Sequence, residues 1–258
     1  MKFIGIDIGS TCAKTVVMNE NKEIVLEFVQ PTGWSSVDTA EEIRKKLVEN
    51  DEDPAEKESV ATGYGRVSVP YADKMITEIT CHAMGAVWIF DNKDMTIIDI
   101  GGQDTKIICV EQGFVKDFMM NDKCSAGTGR FLEIMANTLS MRPNEMCELA
   151  REGSGVTISS MCTVFAESEV ISLIGQGEKK ENIAFAVVDS IVRKVAAQAN
   201  RMSEDRPMLC LTGGLCECSY ISEALTKELG MKVKTDPQSR YAGAIGAALG
   251  AVKKGKKN

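Results

Sequence analysis

The chain has 258 residues, of which 44% are hydrophobic and 26% are charged, and its net charge is −7. This composition is typical of a globular protein with a full core, excludes a fibrous or disordered chain, and argues against a nucleic-acid surface, which needs a concentrated basic face. No apolar run reaches the length of a membrane span, and the first one contains Asp7 where a signal peptide would stay apolar, so we expect a cytoplasmic protein without a membrane partner.

Nine cysteines are present, and without a secretion signal they are expected to be reduced, metal-binding or catalytic. The chain has no Cys-x-x-Cys pair, and His82 is its only histidine. A self-contained zinc site is therefore not expected. Any metal site must gather isolated cysteines from distant positions.

The first predicted element is an apolar strand over residues 3–8, which contains Asp7. A turn of small and polar residues follows, and the residues after it lead into a second strand: Gly9, Ser10, Thr11, Cys12, Ala13 and Lys14. Further along, the pattern predicts a strand over residues 24–29, an amphipathic helix over 38–49, a short strand over 58–62 and a helix over 73–90. Cys81 and His82 on this last helix are predicted to be packed core residues.

The opening arrangement recurs in the middle of the chain. Ile-Asp-Ile-Gly stands at residues 6–9 and again at 98–101, each time with an apolar run before it and a lysine-led strand after it. This repeat predicts two related lobes. A glycine turn lets a phosphate approach the backbone, and an aspartate at the end of each strand suits magnesium held through water. Two ordinary hairpins without a ligand are the alternative interpretation.

Residues 121–131 read Asn-Asp-Lys-Cys-Ser-Ala-Gly-Thr-Gly-Arg-Phe, which places Cys124 ahead of a small-residue turn that opens a helix. Backbone N–H groups and the helix dipole at such a turn favour a thiolate or a phosphate. Cys162 also precedes a predicted helix, 162 minus 124, or 38, residues later. An iron-sulfur cluster usually takes four cysteines, which two chains of a two-fold dimer would supply. The residues alone leave a metal-free alternative open.

The last third of the chain contains a predicted long helix over residues 181–202 and a strand over 207–211 that runs into Thr212, Gly213 and Gly214. A strand leading to a diglycine turn can place a nucleoside against bare backbone. Cys216 and Cys218 on the following helix are predicted to be incidental. A closing helix over residues 241–252 is rich in glycine and alanine, which permits close packing, and the four lysines between residues 253 and 257 are predicted to form a solvated tail.

With Asp7-Ile-Gly-Ser-Thr, Asp99-Ile-Gly-Gly-Gln-Asp and Thr212-Gly-Gly in that order, the chain resembles the superfamily of acetate and sugar kinases, Hsp70 and actin. The resemblance is closer to the activators of (R)-2-hydroxyacyl-CoA dehydratases, in the family that also contains the ATPase subunits of benzoyl-CoA reductase. The segments that carry it are Ala61-Thr-Gly-Tyr-Gly-Arg66, Cys81-His-Ala-Met-Gly-Ala86, residues 121–131 and Thr163-Val-Phe-Ala-Glu-Ser-Glu-Val170.

The resemblance implies an α/β fold of two duplicated actin-like, ribonuclease H-like lobes with nucleotide in the cleft between them. We expect residues 1–94 to form the first lobe and 95–258 the second, with the closing helix 241–258 able to pack back on the first. It also implies a homodimer that holds one four-iron four-sulfur cluster between its subunits, through Cys124 and Cys162 of each chain.

The implied activity is ATP-driven transfer of one electron to an iron-sulfur dehydratase or reductase, with reduced ferredoxin or flavodoxin as the electron source. Asp7 and Asp99 would hold magnesium, and Gln103 and Asp104 would join them in ATP hydrolysis. The expected nucleotide contacts are Gly9, Ser10, Thr11, Cys12, Ala13, Lys14, Gly101, Gly102, Gln103, Gly213 and Gly214. Arg240 stands where some relatives have a glutamine, which leaves that nucleotide contact open.

Three alternatives compete with this interpretation. A small-molecule kinase of the same fold would use a carboxylate such as Asp104 as its base, but gives no reason for the two cysteine-led helix starts. A nucleotide-gated interaction module of the actin or Hsp70 type would contain no iron. An electron donor of the same kind could instead serve a benzoyl-CoA-type reductase or another double-cluster protein.

Overall fold

The computed structural model describes residues 1–159, 162–202 and 207–255, so Lys256 and Lys257 of the predicted basic tail lie outside the described residues. These ranges contain ten strands: β1 (Lys2–Ile8), β2 (Cys12–Asn19), β3 (Ile24–Pro31), β4 (Glu58–Thr62), β5 (Lys74–Met75), β6 (Met95–Ile100), β7 (Thr105–Glu111), β8 (Phe114–Asn121), β9 (Leu209–Gly213) and β10 (Val233–Lys234). The α-helices are α1 (Ser36–Glu49), α2 (Glu78–Phe90), α3 (Gly129–Thr138), α4 (Pro143–Ala150), α5 (Thr163–Gly175), α6 (Lys180–Met202), α7 (Ser219–Leu229) and α8 (Ala242–Gly255).

The chain divides into two compact units that are not contiguous in sequence. The first unit comprises residues 1–94, 110–116 and those from 238 onward, and the second unit comprises 95–109 and 117–237. The first sheet has the strand order β3-β2-β1-β4-β5, and the second has the order β10-β9-β6-β7-β8. Each sheet therefore pairs a long hairpin with strands that arrive from further along the chain.

Strand β1 is the centre of the first sheet. It pairs antiparallel with β2, which sets Asp7 opposite Lys14, and parallel with β4, which sets Asp7 opposite Thr62. All its residues from Phe3 to Ile8 are buried, because helices cover both faces of this strand. Ser35 caps α1 by accepting a hydrogen bond from the Asp38 N–H, and α1 then buries its apolar stripe against β1.

Helices α2 and α8 pack at backbone contact in the first unit. A Cβ atom on Gly85 of α2 would lie 1.9 Å from the Ala242 carbonyl oxygen, and one on Gly246 of α8 would lie 1.8 Å from the Cys81 carbonyl oxygen. Strand β1 meets α8 equally closely, since a Cβ on Gly5 would lie 2.0 Å from the Ala244 carbonyl oxygen. These separations leave room only for glycine. The structure thus gives a physical reason for the glycine-rich closing helix.

Helix α6 is the central helix of the second unit. Its buried residues recur on one face and contribute to the core beneath β6 and β9, together with Phe131 and Leu132 of α3. Strands β6 and β9 run parallel, with Asp99 opposite Thr212. The stretch 73–90, predicted as one helix, contains instead the short strand β5 and then α2, which begins after its cap Thr77. Among the helices of the described ranges, none combines the length and apolar character needed to cross a membrane.

Candidate nucleotide and metal sites

The β1–β2 hairpin closes with a short turn after Asp7. The Gly9 N–H donates to the Cys12 carbonyl oxygen at 3.1 Å, and the tip residues Ser10 and Thr11 are exposed. The Asp7 side chain is buried, with 3% of the residue exposed. The structure therefore brings together a buried carboxylate and an exposed polar turn, as the repeat predicts.

The β6–β7 hairpin has the same construction. The Gly101 N–H donates to the Asp104 carbonyl oxygen at 2.9 Å, Gln103 is exposed, and Asp99 is buried at 1% exposure. A Cβ on Gly101 would lie 2.5 Å from Asp104 Oδ1, so glycine is required for this closure. The two hairpins are thus local structural repeats as well as sequence repeats.

A Thr-Gly pair beside each aspartate is a further part of the repeat. Gly63 after β4 has φ 82° and ψ −175°, and Gly213 at the end of β9 has φ 83° and ψ −173°. A Cβ on Gly63 would lie 2.5 Å from Asp7 Oδ1, and one on Gly213 would lie 2.6 Å from Asp99 Oδ1. From the sequence, Gly213 is given a role in nucleotide binding, whereas Gly63 is used only as part of the segment 61–66 that carries the resemblance. Thr-Gly after an apolar strand at residues 62–63 and 212–213 was the available signal.

Lys106 forms a buried charge triad that sequence reasoning also missed. Its Nζ donates to Asp104 Oδ1 at 2.8 Å and to Asp99 Oδ2 at 3.3 Å, and all three side chains are at most 4% exposed. Thr212 Oγ1 donates to the other oxygen of Asp99 at 3.1 Å. Asp99 is therefore held in one orientation from two sides, and Asp104 accepts a hydrogen bond from the same lysine.

The predicted turn between Cys124 and a helix is present, but it separates the cysteine from the helix start. Helix α3 begins at Gly129 with Thr128 as its N-cap, so Cys124 lies four residues before the cap instead of at the helix start. Gly127 has φ +86°, which ends any helical path through this loop, and Thr128 N–H and Oγ1 both donate to the Ser125 carbonyl oxygen. The Asn121 side chain donates to the Cys124 carbonyl oxygen at 2.9 Å.

Cys162 has the predicted position, since it is the N-cap residue of α5 and is exposed, whereas Cys124 is half-buried. Ser160 and Met161, which precede it in the predicted helix start, lie outside the described residues. The residues that follow the two cysteines touch, because Ser125 Oγ and Thr163 Oγ1 are hydrogen bonded at 2.7 Å. The fold thus brings the two cysteine segments together across 38 residues of sequence.

The Cys124 loop is also bonded to the β6–β7 turn. The Gly129 N–H donates to the Gly101 carbonyl oxygen at 2.9 Å, and the Arg130 N–H donates to the Gly102 carbonyl oxygen at 2.8 Å. Thr105 Oγ1 donates to the Gly127 carbonyl oxygen at 2.6 Å. The first donors of α3 are therefore used by protein carbonyls, which removes them from any role in binding a phosphate.

Cys147, Cys216 and Cys218 belong to the core cluster against which Cys124 packs. Cys147 and Cys218 are hydrogen bonded to each other and buried; this bond and burial raise the pKa of the Cys147 thiol, and the same bond lowers the pKa of Cys218. Among the described residues, no group of three or more potential ligand side chains includes Cys124 or Cys162. In the first unit, Arg240 places its guanidinium 5.7 Å from the ring centroid of Tyr241.

Comparison with known families assigns the chain. Residues 4–251 match the family described as the BadF/BadG/BcrA/BcrD ATPase family. The chain belongs to this family. The match confirms the predicted family and supports ATP binding, whereas the individual site residues stay predictions. The structures of more distant proteins confirm the fold class: a ROK family glucokinase from Streptomyces griseus has a TM-score of 0.62 at 15% identity, covering 98% of this chain and 100% of its own.

Several known proteins are similar to the chain over nearly their whole length. The (R)-2-hydroxyglutaryl-CoA dehydratase activating ATPase of Acidaminococcus fermentans is 44% identical over 258 residues, which is 98% of each chain. The crystal structure of component A of that organism's dehydratase has a TM-score of 0.93 at 42% identity and covers 99% of both chains. The activator of 2-hydroxyisocaproyl-CoA dehydratase from Clostridium difficile, with bound ADPNP, has a TM-score of 0.92 at 35% identity, covering 100% of this chain and 96% of its own.

Proposed function

We propose that this ATPase is a one-electron donor that activates an iron-sulfur (R)-2-hydroxyacyl-CoA dehydratase. In this proposal a homodimer shares one four-iron four-sulfur cluster through Cys124 and Cys162 of each chain. The observation that carries the proposal is the hydrogen bond between Ser125 and Thr163, which brings the two cysteine segments together. The activator names of relatives at 35–44% identity support a dehydratase as the acceptor.

The nucleotide is proposed to contact the glycine turns and the Thr-Gly pairs. Backbone at Gly9 to Lys14 and at Gly101 to Gln103 would contact phosphates, because each turn contains glycine and has an exposed tip, at Ser10 and Thr11 in the first and at Gln103 in the second. Asp7 and Asp99, buried beside these turns, would hold magnesium through water. Gly213 and Gly214 would lie along the adenosine, since a Cβ on Gly214 would meet nothing within 4 Å. The ADPNP in the related activator structure supports a nucleotide of this class.

The cysteines fit a cluster that two chains share. Cys162 is exposed and Cys124 half-buried, so both sulfurs are available near a surface, and one chain offers two of the four thiolates that a cluster takes. Helix α5 behind Cys162 exposes large apolar side chains, Val164 at 67%, Phe165 at 66% and Ile171 at 56%. Such a surface favours a second copy of the chain. When bound, the cluster would supply a one-electron carrier.

The cluster makes the first experimental test. Anaerobically purified protein is expected to be a brown dimer with about four irons. Replacing Cys124 or Cys162 by alanine should remove the colour and the iron, since either change leaves the dimer two ligands short. Cys109→Ala is the matched control: Cys109 is half-buried in the same unit and lies on β7. A colourless wild-type protein that phosphorylates a sugar or an acid would instead establish the kinase alternative.

The link between the β6–β7 turn and the Cys124 loop gives a second prediction. Thr105→Val keeps the side-chain shape but removes the hydroxyl that donates to the Gly127 carbonyl, at a cost of about 1–3 kcal/mol for the unsatisfied oxygen. If this bond couples the nucleotide to the cysteine loop, a chelator should remove iron from the wild-type protein at different rates with ADP and with ADPNP. The variant should still hydrolyse ATP and keep its cluster, but should lose most of that difference.

The matched control is Thr105→Ser, which keeps the hydroxyl and should retain the wild-type difference between the two nucleotides. If Thr105→Val shows the full wild-type difference, this hydrogen bond does not couple the nucleotide to the cysteine loop. Electron transfer assayed with purified acceptors distinguishes the remaining possibilities: reduction of a dehydratase supports the proposal, whereas exclusive reduction of a benzoyl-CoA-type reductase or a double-cluster protein changes the partner. Reduced ferredoxin and flavodoxin are the electron sources to compare.

A further inference from the structure

Lys194 of helix α6 contacts the loop that contains Cys124 and Gly127. Its Nζ donates to Cys124 Sγ at 3.5 Å, in a partly buried contact between residues 70 positions apart. The side-chain stem runs under Gly127, where a Cβ would lie 3.2 Å from Lys194 Cδ and 3.3 Å from Cγ. Glycine at residue 127 therefore permits the positive φ of the turn and also leaves space for the Lys194 side chain, because a side chain at residue 127 would crowd its methylene groups.

The described surroundings of Lys194 contain no carboxylate that would neutralise its charge, and its ammonium group contacts Cys124 Sγ. In the three described ranges of the chain, no carboxylate lies within ion-pair distance of Lys194. Its neighbour Arg193 differs, since the Arg193 Nε is paired with Asp189 at 2.8 Å one turn away. A cavity of about 440 Å³ beside the loop is lined by Arg193, Lys194 and Arg201, with no carboxylate among its described lining residues. The ammonium group therefore adds uncompensated positive charge at Cys124.

A cation at a ligating sulfur has a defined effect on an iron-sulfur cluster. Reduction adds one negative charge to the cluster, and hydrogen bonds and positive charge near its sulfurs stabilise that added charge. We propose that Lys194 is a positioning residue that raises the reduction potential of the cluster through Cys124 Sγ. This inference rests on the proposed function, because it needs the cluster that Cys124 would hold.

The test compares the midpoint potential of the cluster in variants of the full-length dimer. Each protein is titrated anaerobically with a reductant in the presence of mediator dyes, and the reduced cluster is counted by electron paramagnetic resonance. Lys194→Met should lower the ratio of reduced to oxidised cluster about tenfold at the same ambient potential, which corresponds to about 59 mV for a one-electron couple. Lys194→Arg, which keeps the charge, should stay within about threefold of wild type.

Two further variants define the controls. Arg193→Met removes an adjacent charge that is paired with Asp189 and for which no contact with Cys124 Sγ is recorded among the described residues, so it should change the ratio much less than Lys194→Met does. Lys194→Gln is uncharged but donates a hydrogen bond, so it separates charge from hydrogen bonding and replaces the methionine variant if that variant fails to hold iron. A midpoint potential equal to that of wild type in an iron-loaded Lys194→Met or Lys194→Gln protein overturns the inference about Lys194 but leaves the proposed function standing. A wild-type protein without iron overturns the proposed function, and the inference with it.

Discussion

Replacement of Lys106 by methionine is expected to destabilise the second unit by about 3–5 kcal/mol, the usual cost of removing one partner from a buried ion pair. Asp99 and Asp104 would remain as two carboxylates in a site where the side chains are at most 4% exposed. Urea unfolding followed by circular dichroism measures the loss. The matched control is Lys116→Met, which breaks an ion pair with Glu111 whose side chains are 63% and 57% exposed and should cost at most about 1 kcal/mol.

The Lys106 prediction also has a pH dependence with a definite sign. The two carboxylates of Lys106→Met can relieve their cost by binding protons in the folded state, so the folded variant binds more protons than the unfolded one. The difference from wild type should therefore shrink as the pH falls. Adding Asp104→Asn should recover part of the lost stability at neutral pH. A loss below about 1 kcal/mol that neither acid nor the second change alters would contradict the buried triad.

Replacement of Gly246 by alanine is expected to destabilise the first unit by about 3 kcal/mol or more, because the new Cβ would lie 1.8 Å from the Cys81 carbonyl oxygen. The obstacle is backbone of α2, which cannot rotate away as a side chain can. Thermal and urea unfolding measure the effect. Gly175→Ala at the end of α5 is the control, since a Cβ there meets nothing within 4 Å and should leave stability unchanged or raise it by up to about 1 kcal/mol. Equal stability of the two variants would refute the close packing of α2 on α8.

The fold was predictable to the extent that local patterns decide it. Apolar runs interrupted by Asp-Ile-Gly predicted both hairpins, and the structure places Asp7 and Asp99 at equivalent strand ends. Which residues belong to which unit was harder to predict. Residues 110–116 and those from 238 onward join the first unit through tertiary packing, which leaves no local pattern in the sequence. From the sequence, helix α8 was expected to belong to the second lobe and to be able to pack on the first. In the structure it lies in the first unit.

The candidate site residues also divide into those that local sequence predicts and those that depend on tertiary structure. Cys162 follows a local rule, since it caps α5. Cys124 does not, because the positive φ of Gly127 delays α3 and the similarity between the two cysteine settings holds only roughly. Lys106 was missed because a lysine within an apolar strand is normally read as exposed, and only tertiary structure shows the two carboxylates that accept its hydrogen bonds.

The hydrogen bonds from Gly129 and Arg130 to the carbonyl oxygens of Gly101 and Gly102 have a consequence for protein engineering. They make the start of α3 depend on a hairpin that lies more than twenty residues earlier in the chain. The segment that contains Cys124 and Cys162 therefore cannot be expected to keep its structure when it is moved to another protein by itself. A transplant of residues 121–163 into another scaffold would have to include the β6–β7 hairpin, since without it the loop loses the acceptors that fix where its helix begins.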